Sequence, residues 1–194
     1  MLYDETCEIL TRAVCDWSGF PLEEAEVDRR TRELVAMFQY AGAIGPKHWW
    51  SRLARGRAEQ WIENVVKQTR AGPPAEETPL QVIAFHRDVN GGLLDARIAA
   101  VEVLNLLRPT VATSVFITFH QWDGDPFNFI PQGGGDYTKT HRCPGEQIVI
   151  KLMKVAVDAL VNQIEYEVPD QDLRIDFSRL PALPESGFVI WGVK

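Results

Sequence analysis

Ile130-Pro131-Gln132-Gly133-Gly134-Gly135-Asp136-Tyr137-Thr138-Lys139-Thr140-His141-Arg142-Cys143-Pro144-Gly145-Glu146 is the stretch on which the reading of this chain turns. Three glycines allow close approach of the backbone to a flat or bulky group. A basic pair, His141 and Arg142, precedes one thiol. Pro144 suits the first turn of a helix, where a missing N–H costs no hydrogen bond. The residues after it keep helical periodicity to about Gln163. Unpaired N–H groups at a helix start favour a negative charge, so Cys143 is placed to act as a thiolate.

Working outward, the chain reads as mainly α. Helices are predicted from about Tyr3 to Trp17, Leu22 to Tyr40, Trp50 to Arg70, Pro79 to Phe85 and Leu94 to Phe119. The punctuation is Gly19-Phe20-Pro21, Gly42 with Gly45-Pro46, Gly72-Pro73-Pro74 and Asn90-Gly91-Gly92. Ile9, Leu10, Ala13 and Val14 are expected on the apolar face of the first helix. Leu34, Val35 and Phe38 serve the second, and Trp61, Ile62, Val65 and Val66 the third. Alternation over Ile164–Val168, Leu173–Phe177 and Phe188–Val193 predicts a small C-terminal antiparallel β element.

Composition sets the frame. With 194 residues, 45% hydrophobic and 24% charged, the chain is one globular domain spanning 1–194. Its net charge of -7 argues against nucleic acid as a partner. No apolar run spans a bilayer, and the start lacks a signal-peptide pattern, so the expected compartment is cytoplasmic. Cys7 and Cys15, about 12 Å apart along a helix axis, are too far apart for a disulfide and read as small buried hydrophobes.

A second motif lies in the long helix. Leu104, Arg108, Val111 and Val115 share one stripe, and an arginine on an apolar stripe must be paired or reach water. Pro109 removes the hydrogen bond to the Asn105 carbonyl and is expected to bend the helix and open a pocket beside Arg108. Arg108 is then either structural or a bidentate receptor for a carboxylate. The cysteine leaves its own alternatives: an inert core thiol, a nucleophile with a histidine base, a zinc ligand (no Cys-x-x-Cys or His-Glu-x-x-His accompanies it), or the single axial ligand of a haem.

The run from Phe127 to Gly135, with His141-Arg142-Cys143-Pro144-Gly145-Glu146, resembles the haem-binding loop of the cytochrome P-450 superfamily. It is most similar to the bacterial fatty-acid peroxygenase branch. The resemblance extends to Trp17–Trp61, Ile164–Pro169 and Leu183–Val189. It implies haem b (iron protoporphyrin IX) with Cys143 as its iron ligand and Gly134, Gly135, His141 and Gly145 around it. It implies that Arg108 and Pro109 form the Arg-Pro pair that binds the fatty-acid carboxylate and serves peroxide cleavage, and that Phe188 reaches the substrate channel. Hydrogen peroxide is then the oxidant, no redox partner is needed, and the products are α- or β-hydroxy fatty acids or, after decarboxylation, terminal alkenes.

The chain departs from the family in two places. A section before Met1 is missing, and so is a long stretch between Phe119 and Trp122 that holds a Glu-x-x-Arg helix. Glu26-Val27-Asp28-Arg29 reads as a surface pair and not as that buttress. The partial chain is therefore expected to hold haem weakly. A remnant without haem, or a cysteine-dependent hydrolase, stands as the alternative. The basic and aromatic run Lys47–Arg57 reads as a solvated helix start, with contact to a nucleic acid or an anionic membrane surface as the alternatives; the resemblance places it near the substrate entrance, where cations would attract fatty-acid anions.

Overall fold

The computed structural model describes residues 1–74, 77–113, 139, 142, 143, 145–176 and 183–194. It is mainly helical: α1 (Leu2–Ser18), α2 (Val27–Gln39) after a 3-10 turn at Glu24–Glu26, α3 (Pro46–Ala71), α4 (Pro79–Ala84), α5 (Ala96–Ala112) and α6 (Glu146–Asp158), which runs into a π turn at Ala159–Gln163.

Helices α1, α2, α3 and α5 pack on one another around a core that includes Tyr3, Cys7, Val14, Leu34, Ile62, Val66, Val103 and Leu107. In α1 the buried stripe runs through Tyr3, Cys7, Leu10 and Val14, the spacing of one helical face. Ile9 falls outside that stripe and is 62% exposed, contrary to the expectation for it. Val65 and Val66 are buried as expected, while Trp61 packs half-buried against the core. Cys7 and Cys15 are buried and take part in no disulfide among the described residues.

Several helix ends differ from the pattern reading. Helix α3 starts at Pro46, four residues earlier than expected, because Pro46 opens its first turn. Helix α5 starts at Ala96, where the Asp95 side chain accepts from the Arg97 N–H at 2.9 Å. It ends at Ala112, and the expected extension to Phe119 lies outside the described residues. Helix α6 begins at Glu146 behind Gly145, and Pro144 also lies outside them.

Local contacts fix α4 and the loop after it. Gly19 ends α1 at φ 71°, and a Cβ there would come within 2.6 Å of the Thr78 side chain. Only glycine meets both demands. Thr78 in turn caps α4, its Oγ1 accepting from the Gln81 N–H at 3.3 Å. Arg70, in the last turn of α3, donates to the carbonyls of Ala84 at 2.7 Å and Leu94 at 2.9 Å. One guanidinium thus pins both ends of the 85–94 loop.

The tail pairs sparingly. β1 (Ile175–Asp176) and β2 (Leu183–Pro184) are antiparallel over two residues each, and Glu167 bridges Trp191. Gln171 replaces a longer ladder. Its side chain accepts from the Val189 N–H at 2.6 Å and donates to the Val189 carbonyl at 3.0 Å.

Candidate functional site: an apolar cavity between α5 and the Cys143 loop

Helix α5 has two working faces. Ala99, Val103, Leu107 and Val111 enter the bundle core. Ile98, Glu102, Asn105 and Pro109 line a cavity of about 950 Å³. The other walls are Val14 and Trp17 of α1, Val82 and Ile83 of α4, His86 and Leu94 of the pinned loop, and Gly145, Ile148 and Leu152 at the start of α6. The two motifs singled out from sequence therefore meet across one space, through Pro109 on one side and Gly145 on the other. Pro109 lies inside α5, which continues past it to Ala112. The carbonyl it leaves without a helical partner belongs to Asn105, another residue of the cavity wall.

Arg108 stands on the flank of α5 between these faces and is not among the cavity-lining residues. It is half-buried and forms no hydrogen bond or ion pair among the described residues. Burial, and secondarily the charge of Arg55 on α3, lower its pKa. Both influences disfavour a bare cation, and both would be relieved by an anion placed beside it. Arg55 has a partner of its own, Glu59 Oε1 at 2.7 Å.

Cys143 is a free, half-buried thiol. Its carbonyl accepts from the Glu146 N–H at 3.2 Å, joining the cysteine to the first turn of α6. Arg142 donates to Glu146 Oε2 at 2.6 Å and Oε1 at 2.8 Å, which closes that turn as a fork. A Cβ added at Gly145 would lie 3.6 Å from Cys143 Sγ, so this glycine borders the sulfur as well as the cavity. Gly134, Gly135 and His141 lie outside the described residues. Phe188 sits at φ 54°, an unusual backbone for a bulky side chain. Its carbonyl accepts from the Leu2 N–H at 3.1 Å, so it is found beside the start of α1 and not among the cavity-lining residues.

Nothing in the sequence places His86, or reveals the stripe 98-102-105-109 as a cavity wall. Its i, i+4, i+7 spacing is visible, but two of the four residues, Glu102 and Asn105, are polar and interrupt the apolar pattern of a buried face. Glu102 is exposed and edges the cavity. No group of three or more His, Cys, Asp or Glu side chains suited to a metal ion occurs among the described residues.

No family model matches the chain. Solved structures do match it along its whole length. Cytochrome P-450SP alpha (CYP152B1), in complex with (R)-ibuprophen, superposes with a TM-score of 0.89 at 38% identity, over 100% of this chain and 69% of that one. Cytochrome P-450EX alpha (CYP152N1), wild type with myristic acid, gives 0.89 at 30% identity, covering 100% and 68%. A cytochrome P-450 OleT variant in complex with arachidonic acid gives 0.87 at 24%, covering 100% and 67%, a likeness of fold. The architecture is thus that of a cytochrome P-450, and the chain spans about two thirds of the length of the structures it matches. The chain belongs to the CYP152 family.

That family implies a haem held by a cysteine thiolate. The residues present fit such a group. The cavity lies within the roughly 300–1,000 Å³ typical of ligand and cofactor sites, and its walls are largely aliphatic and aromatic. Gly145, a residue of its wall, adds no bulk beside the Cys143 sulfur, which a Cβ there would meet at 3.6 Å.

Proposed function

We propose that this protein uses hydrogen peroxide to hydroxylate long-chain fatty acids at Cα or Cβ, with decarboxylation to a terminal alkene as a second outcome at the same site. The observation that carries the reading is the meeting of α5 and the start of α6 across one apolar cavity, with a half-buried arginine on the flank of α5 that has no partner among the described residues.

Cys143 would hold haem b through its thiolate, and Gly145 keeps the approach to the sulfur open. On the same reading Gly134, Gly135 and His141 complete the loop around the haem. When bound, the haem supplies peroxide cleavage, favoured by the electron-rich thiolate, and oxidation of the acyl chain. Arg108 binds the substrate carboxylate, because a planar guanidinium matches it bidentately. The carboxylate held there is the acid–base group that moves the peroxide proton, so no side-chain acid is required. Pro109 and Asn105 shape the wall next to it. The aliphatic and aromatic lining excludes water and accepts the hydrocarbon. The resemblance would bring Phe188 to the acyl chain, but its place beside the start of α1, away from the cavity lining, does not support that contact.

The test is turnover of a saturated long-chain fatty acid with hydrogen peroxide. Arg108→Ala should lower turnover roughly a hundredfold or more and leave the haem spectrum intact. Cys143→Ala should abolish the thiolate-type Soret band. Unchanged turnover in Arg108→Ala removes the carboxylate-receptor role. One observation favours a second reading, a chain that folds without haem: α6 buries none of its side chains. Haem titration of the purified chain decides between the two.

A further inference from the structure

The first part of α3 differs from the rest of the surface. Residues 40–58 include Lys47, His48, Arg52, Arg55 and Arg57 and no acidic residue, in a chain whose net charge is -7. Arg55 is neutralised by Glu59. Lys47, Arg52 and Arg57 have no acidic partner among the described residues. Lys47 lies over the Tyr40 ring at 5.8 Å and Arg57 over the Trp50 ring at 5.6 Å.

The apolar residues of this segment are arranged as well. Ala54, Ala58 and Ile62 face the bundle core. Helical periodicity places Trp49 and Leu53, four residues apart, on the opposite side. They are 68% and 50% exposed, and Ile44 in the preceding loop is 96% exposed. Arg52 and Arg57 fall on the two borders of that outward stripe. A helix start that is merely solvated needs no tryptophan and leucine directed away from its core.

We propose that this surface docks the protein on an anionic lipid bilayer. Ile44, Trp49 and Leu53 enter the boundary between headgroups and acyl chains, while Lys47, Arg52 and Arg57 meet lipid phosphates. Trp49 suits that depth because its ring is amphipathic. The long stems of the cations let their charges reach the headgroups while the apolar stripe sinks. No helix among the described residues is long and apolar enough to cross a membrane, so α3 lies along the surface. Nucleic acid is the poorer fit, since Ile44 and Leu53 offer no stacking face and the rest of the chain repels phosphate. The docking stands independently of the peroxygenase reading; if both hold, the substrate pool and the enzyme share one surface.

Co-sedimentation of the full chain with vesicles tests this. Binding is expected to vesicles of phosphatidylcholine mixed with phosphatidylglycerol, not to phosphatidylcholine alone, and to fall as salt rises. Each surface cation contributes about fivefold, so R52Q/R57Q should weaken binding about 25-fold. W49S/L53S should lose binding together with the blue shift of tryptophan emission. Both double variants change exposed side chains, so circular dichroism should match the parent. Three outcomes overturn the proposal: equal vesicle binding by W49S/L53S, loss of binding on V155S/V157S in α6 instead, or binding of a DNA duplex with vesicles ignored.

Discussion

Cys143 differs from Cys7 and Cys15 in what surrounds its sulfur. Cys7 and Cys15 are 2% and 1% exposed, whereas Cys143 is half-buried beside Gly145, a residue of the cavity wall. Burial pushes the Cys15 thiol up to about 12 from an ordinary value of 9.0. The folded state therefore favours the protonated thiol. That contribution to stability is complete below the unfolded value and is lost as pH rises from about 9 toward 12. Iodoacetamide at about pH 8 should alkylate Cys143 and spare the other two. Added haem should then protect Cys143, as read by peptide mass spectrometry. Alkylation of Cys143 at an unchanged rate in the presence of haem would remove it as the ligand. The burial of Cys7 and Cys15 was legible from their places on an amphipathic helix. The setting of Arg108 was legible only in part. Its apolar neighbours Leu104 and Val111 were visible in the sequence, but Arg55 opposite it was not, because that contact joins helices some fifty residues apart in the chain.

At the scale of the element, α2 shows how a local reading can be nearly right. Glu26 and Arg29 pair as the sequence reading expected. Glu26 also accepts from Arg30 at 2.7 Å, and Arg30 reaches inward to Glu33 at 2.8 Å. The Arg30 and Glu33 side chains are only 8% and 2% exposed. The Arg30 guanidinium lies 4.2 Å from the Trp61 ring centroid, and Phe20 meets that ring edge-on at 4.7 Å. Sequence periodicity treats charged residues as outward-facing, and the aromatic partner comes from another helix, so this inward turn was hidden. Arg30→Ala should destabilise the fold by about 3–5 kcal/mol, because it leaves the Glu33 carboxylate buried without a counter-charge. Arg30→Met with Glu33→Gln should cost much less. Urea midpoints would decide; equal losses in the two variants would mean that the pair matters through packing and not through charge.

Across the whole molecule, stability is uneven. Helices α1, α2, α3 and α5 share a core, whereas Ile148, Val155, Val157 and Val161 of α6 and its π turn are at least half exposed. Ile148 and Leu152 of α6 nevertheless face the cavity. Hydrogen exchange should therefore be fast along α6 and slow along α3 and α5. If the cavity takes haem, exchange in α6 should slow most, because ligand binding stabilises only the state that binds it. Uniform protection in the presence and absence of haem would contradict that link. Helices α1, α2, α3 and α5 were readable because each buries a periodic stripe. The tail was not, because alternation cannot reveal that one glutamine side chain, Gln171, takes hydrogen bonds a strand partner would otherwise supply.

The close approach of Gly19 to Thr78 has a geometric corollary. Trp17 lies just before that glycine, Val82 and Ile83 lie just beyond that threonine, and all three stand on facing walls of the cavity. The contact works like the pivot of a pair of callipers. A methyl group inserted there would wedge the arms apart and widen the gap without touching anything inside it. The breadth of the hollow is thus governed from a hinge that contributes no lining atom.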